Sequence, residues 1–360
     1  MWYHDLTNWF IEHQRILPWR ETHTPYRTLV CEFMAQQTKI ATLIPYYERW
    51  MVEFPTIADV AKANEDKVLK LWEGLGYYSR ARNLHKTCKI IQNEMNGEIP
   101  SSLDDLLQLP GVGPYIAAAV ASIAFEQPTP VIDGNVLRVL TRFFGLDDDI
   151  TKERTKKKLL AKLTPIIKQL NPGNFNQAMM ELGALVCTPS SPKCTNCPIQ
   201  GNCYAFNYNE TDKFPVKPKK APIPHFTVVV GIIRNQANKF LITKRKKNQL
   251  LGGLWEFPGG KVNNLESIEA ALHREIQEEL RIDITVDHFL CKVNHAYSHF
   301  KITMHAYLCS PKFKDSVIDD ITLTSAESFE LISINDFENY AFPKANKVII
   351  QNLLNWIAHS

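Results

Sequence analysis

Residues 109–135 read LPGVGPYIAAAVASIAFEQPTPVIDGN. Pro110, Gly111 and Gly113 punctuate a turn, and the apolar run Ile116 to Phe125 behind it is long enough for a helix, which places both glycines at a helix N-terminus. A glycine turn opening a helix leaves backbone N–H groups unpaired at the positive end of the dipole, a ready site for phosphate. An ordinary corner between two helices uses the same residues. Beyond Pro128-Thr129-Pro130, Asp133 precedes an apolar-periodic run from Val136 to Phe144 and stands where a helix N-cap stands. A carboxylate close to a phosphate-binding turn is repelled by a nucleic-acid backbone and needs a reason beyond capping.

Working outward, the chain has 360 residues, 45% of them hydrophobic, which is enough for two domains with cores of their own. The longest apolar run is about half of what a membrane span needs, and the N-terminal stretch has no basic flank before an apolar core. The expectation is a soluble, cytoplasmic protein with no membrane partner. A net charge of +3 argues only weakly for nucleic acid. The local basic runs 152–158 (KERTKKK), 213–220 (KFPVKPKK) and 244–247 (KRKK) argue for it better, since each could neutralise phosphates.

From residue 1 to about 207 amphipathic segments recur between Pro and Gly breaks, with no useful alternation, and this half reads as all-α. Within it, Cys187, Cys194, Cys197 and Cys203 form a tight group among the eight cysteines. Four thiolates at such spacing close around one zinc or one [4Fe-4S] cluster, and ligand chemistry alone does not separate the two. Residues 208–224 are Pro- and Lys-rich without periodicity, as in a semi-extended tether. After them the period changes to two, at 226–233, 239–244 and 300–308, with helices expected near 266–280 and 344–357. The second half reads as α+β.

LPGVGPY followed by VIDGNV resembles the helix-hairpin-helix and catalytic aspartate of the endonuclease III superfamily of base-excision glycosylases, and within it the adenine DNA glycosylase family. The resemblance implies an all-α glycosylase domain over 1–207 that includes an iron-sulfur loop at 187–203, a linker at 208–224, and a Nudix-like α+β domain over 225–360. The cysteine spacing is similar to the superfamily's loop, so a [4Fe-4S] cluster is the implied cofactor. Glu32, in CEFMAQQT, lies among Leu29, Val30, Phe33 and Met34, and periodicity does not say whether it faces core or solvent. The resemblance makes it the general acid that protonates adenine at N7. It makes Asp133 the partner of the sugar's C1′, supported by Tyr115 and Asn135, with Arg20 and Gln177 against the flipped base. Gln37, Thr38, Tyr77, Gly111 and Gly113 become the DNA contacts, Gln37 and Tyr77 as wedges.

Tyr115 stands where strand-cutting relatives carry a lysine, so a monofunctional enzyme leaving an abasic site is expected. Trp255 to Ile282 resembles the Nudix box, with Glu275, Glu278 and Glu279 sharing one helix face and Arg281 replacing its glycine. Tyr297-Ser298-His299 is similar to the family's Phe-Ser-His triplet that reads 8-oxoguanine. The implied partner is duplex DNA carrying A opposite 8-oxoguanine or G, bound by a monomer in a bacterial cytoplasm. Three rivals stand beside this: a bifunctional lyase, a Nudix nucleotide hydrolase, and a non-catalytic mismatch sensor.

Overall fold

The computed structural model describes residues 1–218, 222–312 and 321–359. Positions 219–221, at the end of the basic run 213–220 and inside the expected tether, lie outside the described residues. The chain forms two compact units, Met1–Lys62 with Asn83–Lys220, and Ala63–Arg82 with Ala221–Ser360. No helix among the described residues is long and apolar enough to cross a membrane.

The first unit is helical, as its amphipathic segments require. Pro25 opens the helix Pro25–Ala35, and Thr24 caps it by accepting from the Arg27 N–H. Gly113 precedes the helix Pro114–Phe125, whose run Ile116–Ser122 is buried on every side. Gly111 has φ +76, and a Cβ there would stand 2.6 Å from the Asn83 Cβ, so the turn needs glycine on both counts. Asp133 is the N-cap of Gly134–Phe144, whose Val136, Val139 and Leu140 pack with Phe175, Met179 and Leu182 of the helix Pro172–Leu185. These two helices approach closely because Gly183 has no side chain: a Cβ would stand 2.6 Å from that of Asn135.

The expected tether is anchored at its start. Phe214 is buried, Arg142 Nε donates to the Thr211 and Phe214 carbonyls at 3.0 and 3.1 Å, and Ile150 N–H donates to the Val216 carbonyl at 3.1 Å.

The second unit carries two sheets. One runs β4 (Gly259–Lys261), β1 (His225–Ile233), β6 (Lys301–Pro311), β5 (Ile284–Ala296), with β1 and β6 parallel and the other pairs antiparallel. The other runs β3 (Trp255–Glu256), β2 (Phe240–Arg245), β7 (Ala326–Ile332), antiparallel throughout. Strand alternation divides the core between two faces. Val229 and Ile233 pack against Leu272 and Ile276 of the helix Ile268–Leu280, while Val230 and Ile232 pack with Ile349 and Leu353 of Lys344–His359.

Residues 63–82 join this unit through polar contacts: Lys70 Nζ donates to the Tyr340 carbonyl at 2.9 Å, and Glu73 accepts from the Phe342 N–H at 2.8 Å and from Lys347 at 2.8 Å. The basic run 244–247 is spent on such pairs, Lys244 with Asp66 at 2.6 Å, Arg245 with Glu256 at 2.6 Å and Lys247 with Glu65 at 3.2 Å.

Candidate active site

A cavity of about 450 Å³ opens in the first unit, and Arg20, Glu32, Thr38, Tyr115, Asp133, Asn135 and Gln177 all line it. The helix Pro25–Ala35 points Glu32 inward with Leu29, Val30, Phe33 and Met34, so the carboxylate is buried, and its Oε2 has no hydrogen-bond partner among the described residues. Burial drives its pKa up, the Tyr115 hydroxyl draws it down, Asp133 adds to the rise and Arg20 opposes it; the outcome is about 7. Glu32 is therefore a carboxylic acid with a proton to give near neutrality.

Asp133 has a different environment. Its Oδ1 accepts from the Val136 N–H at 2.7 Å, as a cap does, and its Oδ2 accepts from Asn135 Nδ2 at 3.0 Å. Burial raises its pKa, and the Val136 N–H, the Asn135 amide and Arg138 all work against that rise. One oxygen serves the helix and the other takes an amide donor, in a side chain that lines the cavity. Capping does not withdraw the side chain from the cavity, which it also lines.

Asn135 is itself held. Arg138 Nη2 donates to Asn135 Oδ1 at 2.8 Å and to the Gly183 carbonyl at 2.7 Å, while Arg138 Nε donates to the Cys187 carbonyl at 2.7 Å. The turn before Asp133 is pinned by buried Asn176, whose Oδ1 accepts from the Val131 N–H at 3.0 Å and whose Nδ2 donates to Ser122 Oγ at 2.8 Å and the Thr129 carbonyl at 2.9 Å. Tyr115 is partly buried with its hydroxyl 3.5 Å from Met180 Sδ, and burial, followed by Glu32 and Asp133, pushes its pKa well up. It is a neutral phenol.

Arg20 Nε donates to Gln177 Oε1 at 3.0 Å and its Nη2 to Glu181 Oε2 at 3.1 Å. Glu181, which sequence reasoning did not single out, also takes a bidentate pair from Arg15 at 2.7 and 2.8 Å. Burial pushes the Glu181 carboxyl up, but the Arg15 and Arg20 hydrogen bonds outweigh it and bring it to about 2. Asn176, Glu181 and Arg138 are the positioning residues missed at the sequence level. The available signal was their polarity inside otherwise apolar helical stripes.

The remaining DNA-contact candidates do not all share this cavity. Gln37 is exposed with φ +55 at the end of its helix, and Gly111 and Gly113 form the turn ahead of Tyr115. Tyr77 belongs to the second unit, where its hydroxyl hydrogen-bonds Ser298 Oγ. Tyr297, Ser298 and His299 make the turn between β5 and β6; Tyr297 stacks on Phe300 at 4.7 Å, and Ser298 and His299 are exposed.

Cys187, Cys194, Cys197 and Cys203 surround a cavity of about 30 Å³ with Arg142 in its wall. Buried Arg142 donates to Cys187 Sγ at 3.3 Å and to the Thr188 carbonyl at 2.7 Å, placing a positive charge against the group of four sulfurs. Among the described residues no three Cys, His, Asp or Glu side chains converge as they do around a single metal ion. The four cysteines line one cavity, a ligand set of the kind that holds one zinc or one iron-sulfur cluster.

The Nudix-box glutamates are occupied. Arg274 holds Glu266 at 2.8 Å, Glu275 at 2.9 Å and Glu278 at 3.2 Å, while Glu279 accepts from the Gly259 N–H at 3.0 Å and from Ser325 Oγ at 2.9 Å.

Comparison with known proteins agrees with both halves. Residues 30–165 match the HhH-GPD superfamily of base excision DNA repair proteins, 187–203 the iron-sulfur binding domain of endonuclease III, and 229–352 the NUDIX domain. The chain is 34% identical to an adenine DNA glycosylase of Buchnera aphidicola, covering 83% of this chain and 84% of that one. It is 34% identical to the adenine DNA glycosylase of Rattus norvegicus, covering 84% of this chain and 69% of that one. Among solved structures it is similar to a thermostable thymine-DNA glycosylase, with a TM-score of 0.52 and 25% identity over 57% of this chain and 95% of the other.

Proposed function

Since the chain belongs to the adenine DNA glycosylase family of base-excision repair enzymes, we propose that it excises adenine paired with 8-oxoguanine, and with guanine, as a monofunctional glycosylase that leaves an abasic site. The observation that carries this is the pair of unlike carboxyls in one cavity, Glu32 buried without a partner on Oε2 and Asp133 steadied by two N–H donors. Hydrolysis of a glycosidic bond asks for such a pair, one acid and one ionised partner to an oxocarbenium-like sugar.

In the reaction, adenine rotates out of the duplex into the cavity, with Arg20 and Gln177 against its polar edge. Glu32 gives its proton to N7, the bond from N9 to C1′ breaks with its electron pair going to the base, and Asp133 stabilises the cationic C1′. Water then adds to C1′ and its proton returns to Glu32. Tyr115 offers a phenol, not an amine, so no Schiff base forms at this position and the strand stays intact. Gln37, Thr38, Tyr77, Gly111 and Gly113 engage the duplex, and Tyr297, Ser298 and His299 read the base opposite.

The cysteine loop 187–203 carries a [4Fe-4S] cluster, ligated by Cys187, Cys194, Cys197 and Cys203. Held by these four side chains, such a cluster would cross-link four points of the loop. Functionally we divide the chain into a glycosylase domain over residues 1–207, a linker over 208–224 and a recognition domain over 225–360, acting as a monomer on DNA in a bacterial cytoplasm.

Duplexes carrying A opposite 8-oxoguanine, G or T, incubated without magnesium and resolved with and without hot alkali, test the proposal. Strand cleavage only after alkali, fastest opposite 8-oxoguanine, is the expected result. Cleavage without alkali, or no abasic site from any adenine pair, overturns it.

A further inference from the structure

Two loops of the second unit meet at a pair of hydroxyls, and each loop is rigid for its own reasons. The loop bearing Tyr77 follows Gly76, with φ +76 at the glycine and φ +49 at the tyrosine. Arg80 locks it: the buried guanidinium lies 5.5 Å from the Tyr77 ring centre and 5.3 Å from that of Trp72, and it donates to the Leu75 and Gly76 carbonyls at 3.3 and 3.0 Å. Trp72 Nε1 donates to the same Gly76 carbonyl at 3.0 Å, and the Gly74 N–H donates to the Tyr78 hydroxyl at 3.0 Å. The facing turn is closed by the Tyr297 N–H donating to the Phe300 carbonyl at 2.8 Å and by the stack of Tyr297 on Phe300, with His295 edge-on to Tyr297 at 4.6 Å. Between them Tyr77 Oη and Ser298 Oγ are hydrogen-bonded.

A serine hydroxyl has one proton to donate and two lone pairs. Left free, it rotates, and serves an acceptor or a donor equally well. We propose that Tyr77 is a positioning residue for Ser298: its phenol donates into one lone pair of Ser298 Oγ and so sets which hydrogen bonds the serine offers to the base opposite adenine. This rests on reading the 297–299 turn as the reader of 8-oxoguanine. With one lone pair filled, Ser298 presents one O–H and one lone pair. The edge of 8-oxoguanine carries the complementary set, the acceptor O8 beside the donor N7–H. Guanine carries the acceptor N7 beside a C8–H, so it takes the serine proton and leaves the lone pair unmet. A buried or crowded unmet acceptor is costly, so the preset serine favours the oxidised base.

Tyr77→Phe keeps the ring and removes only the hydroxyl. Single-turnover adenine release is measured from duplexes with A opposite 8-oxoguanine and A opposite G, for the wild type, Tyr77→Phe, Ser298→Ala and the double variant. The readout is the ratio of the two rates. Tyr77→Phe is expected to lower it by about fivefold, the scale of one hydrogen bond, Ser298→Ala by at least as much, and the double variant by no more than Ser298→Ala alone. If Ser298→Ala lowers the ratio and Tyr77→Phe leaves it at the wild-type value, or if the two losses multiply, the positioning role is overturned while the reader turn stands. If Ser298→Ala leaves the ratio unchanged, the reading of the turn fails, and the positioning role with it. A variant that merely disturbs the loop slows both substrates together and leaves the ratio in place, which also counts against the proposal.

Discussion

The cavity of the first unit and the glutamate helix of the second are both rich in carboxylates, yet they differ in what those carboxylates are free to do. In the helix Ile268–Leu280, Arg274 holds Glu266, Glu275 and Glu278 together, and Glu279 is spoken for by a backbone N–H and a serine. In the cavity, Glu32 keeps Oε2 without a hydrogen-bond partner among the described residues and is brought to a pKa of about 7. A buried, unmet polar atom costs stability and persists only where something else selects for it. Motif completeness therefore points to the second unit and chemistry to the first.

The sharpest way to break that contrast is to remove each carboxylate's charge without changing its shape. Glu32→Gln is expected to slow adenine release by about 10²- to 10⁴-fold, the usual share of a general acid, measured by single turnover on A opposite 8-oxoguanine. Glu278→Gln, at an exposed side chain paired with Arg274, is expected to leave that rate where it was. Equal effects from the two would erase the distinction.

Next in size is Glu181, the cavity carboxylate held by two arginines. Glu181→Leu leaves Arg15 and Arg20 without their shared acceptor, and breaking a buried pair from one side costs about 3–5 kcal/mol, read as a lower denaturation midpoint. The loss should be accompanied by weaker adenine release, because Arg20 also holds Gln177.

Glu32 and Glu181 set opposite pH dependences. Folding raises the Glu32 pKa from 4.5 to about 7, so the stability from its retained proton is full below 4.5 and is lost as pH rises through 7, by about 3 kcal/mol in order of magnitude. Folding lowers the Glu181 pKa from 4.5 to about 2, so its contribution is present above 4.5 and is lost as pH falls toward 2. Denaturation midpoints across pH should therefore fall on both sides, and Glu32→Gln should flatten the alkaline side alone. Activity should track the protonated acid and decline above pH 7; an alkaline limb unchanged in Glu32→Gln would assign the titration elsewhere.

What the sequence revealed follows from how local each signal is. The glycine turn, the Asp133 cap and the cysteine loop are contiguous, and each is formed where it was read. The burial of Glu32 was not legible from periodicity, because its helix has apolar residues on most sides and only the packing of Tyr115 and Asp133 against it decides the matter. The short strands β3 and β4 escaped because two or three residues give no period to detect. Asn176 and Glu181 escaped for a different reason: their partners, Val131, Arg15 and Arg20, lie 45 to 166 residues away in sequence. The grouping of 63–82 with the second unit is long-range in the same sense, resting on Glu73 and Lys70 meeting residues near 340.

The smallest effect lies at Arg281, where the Nudix-box pattern has glycine. Arg281 ends the helix Ile268–Leu280 with φ +59, and its N–H donates to the Gln277 carbonyl at 3.1 Å. That left-handed conformation is costly for a residue with a Cβ and free for glycine, so the backbone still makes the turn the motif asks for while the side chain no longer suits it. Arg281→Gly should relieve the native conformation and at the same time loosen the unfolded chain. The two terms oppose each other, and relief of the left-handed residue should exceed the entropy by about 0.5–1 kcal/mol. A small rise in the denaturation midpoint of the second unit is the expected result, with Glu275, Glu278 and Glu279 still held by Arg274 and Ser325 and no magnesium-dependent nucleotide hydrolysis gained. A fall in stability would mean that the arginine contributes more than its backbone costs. Hydrolysis appearing on restoring the glycine would mean that the glutamates were held back by this one turn, and the contrast between the two carboxylate clusters would then be one of degree.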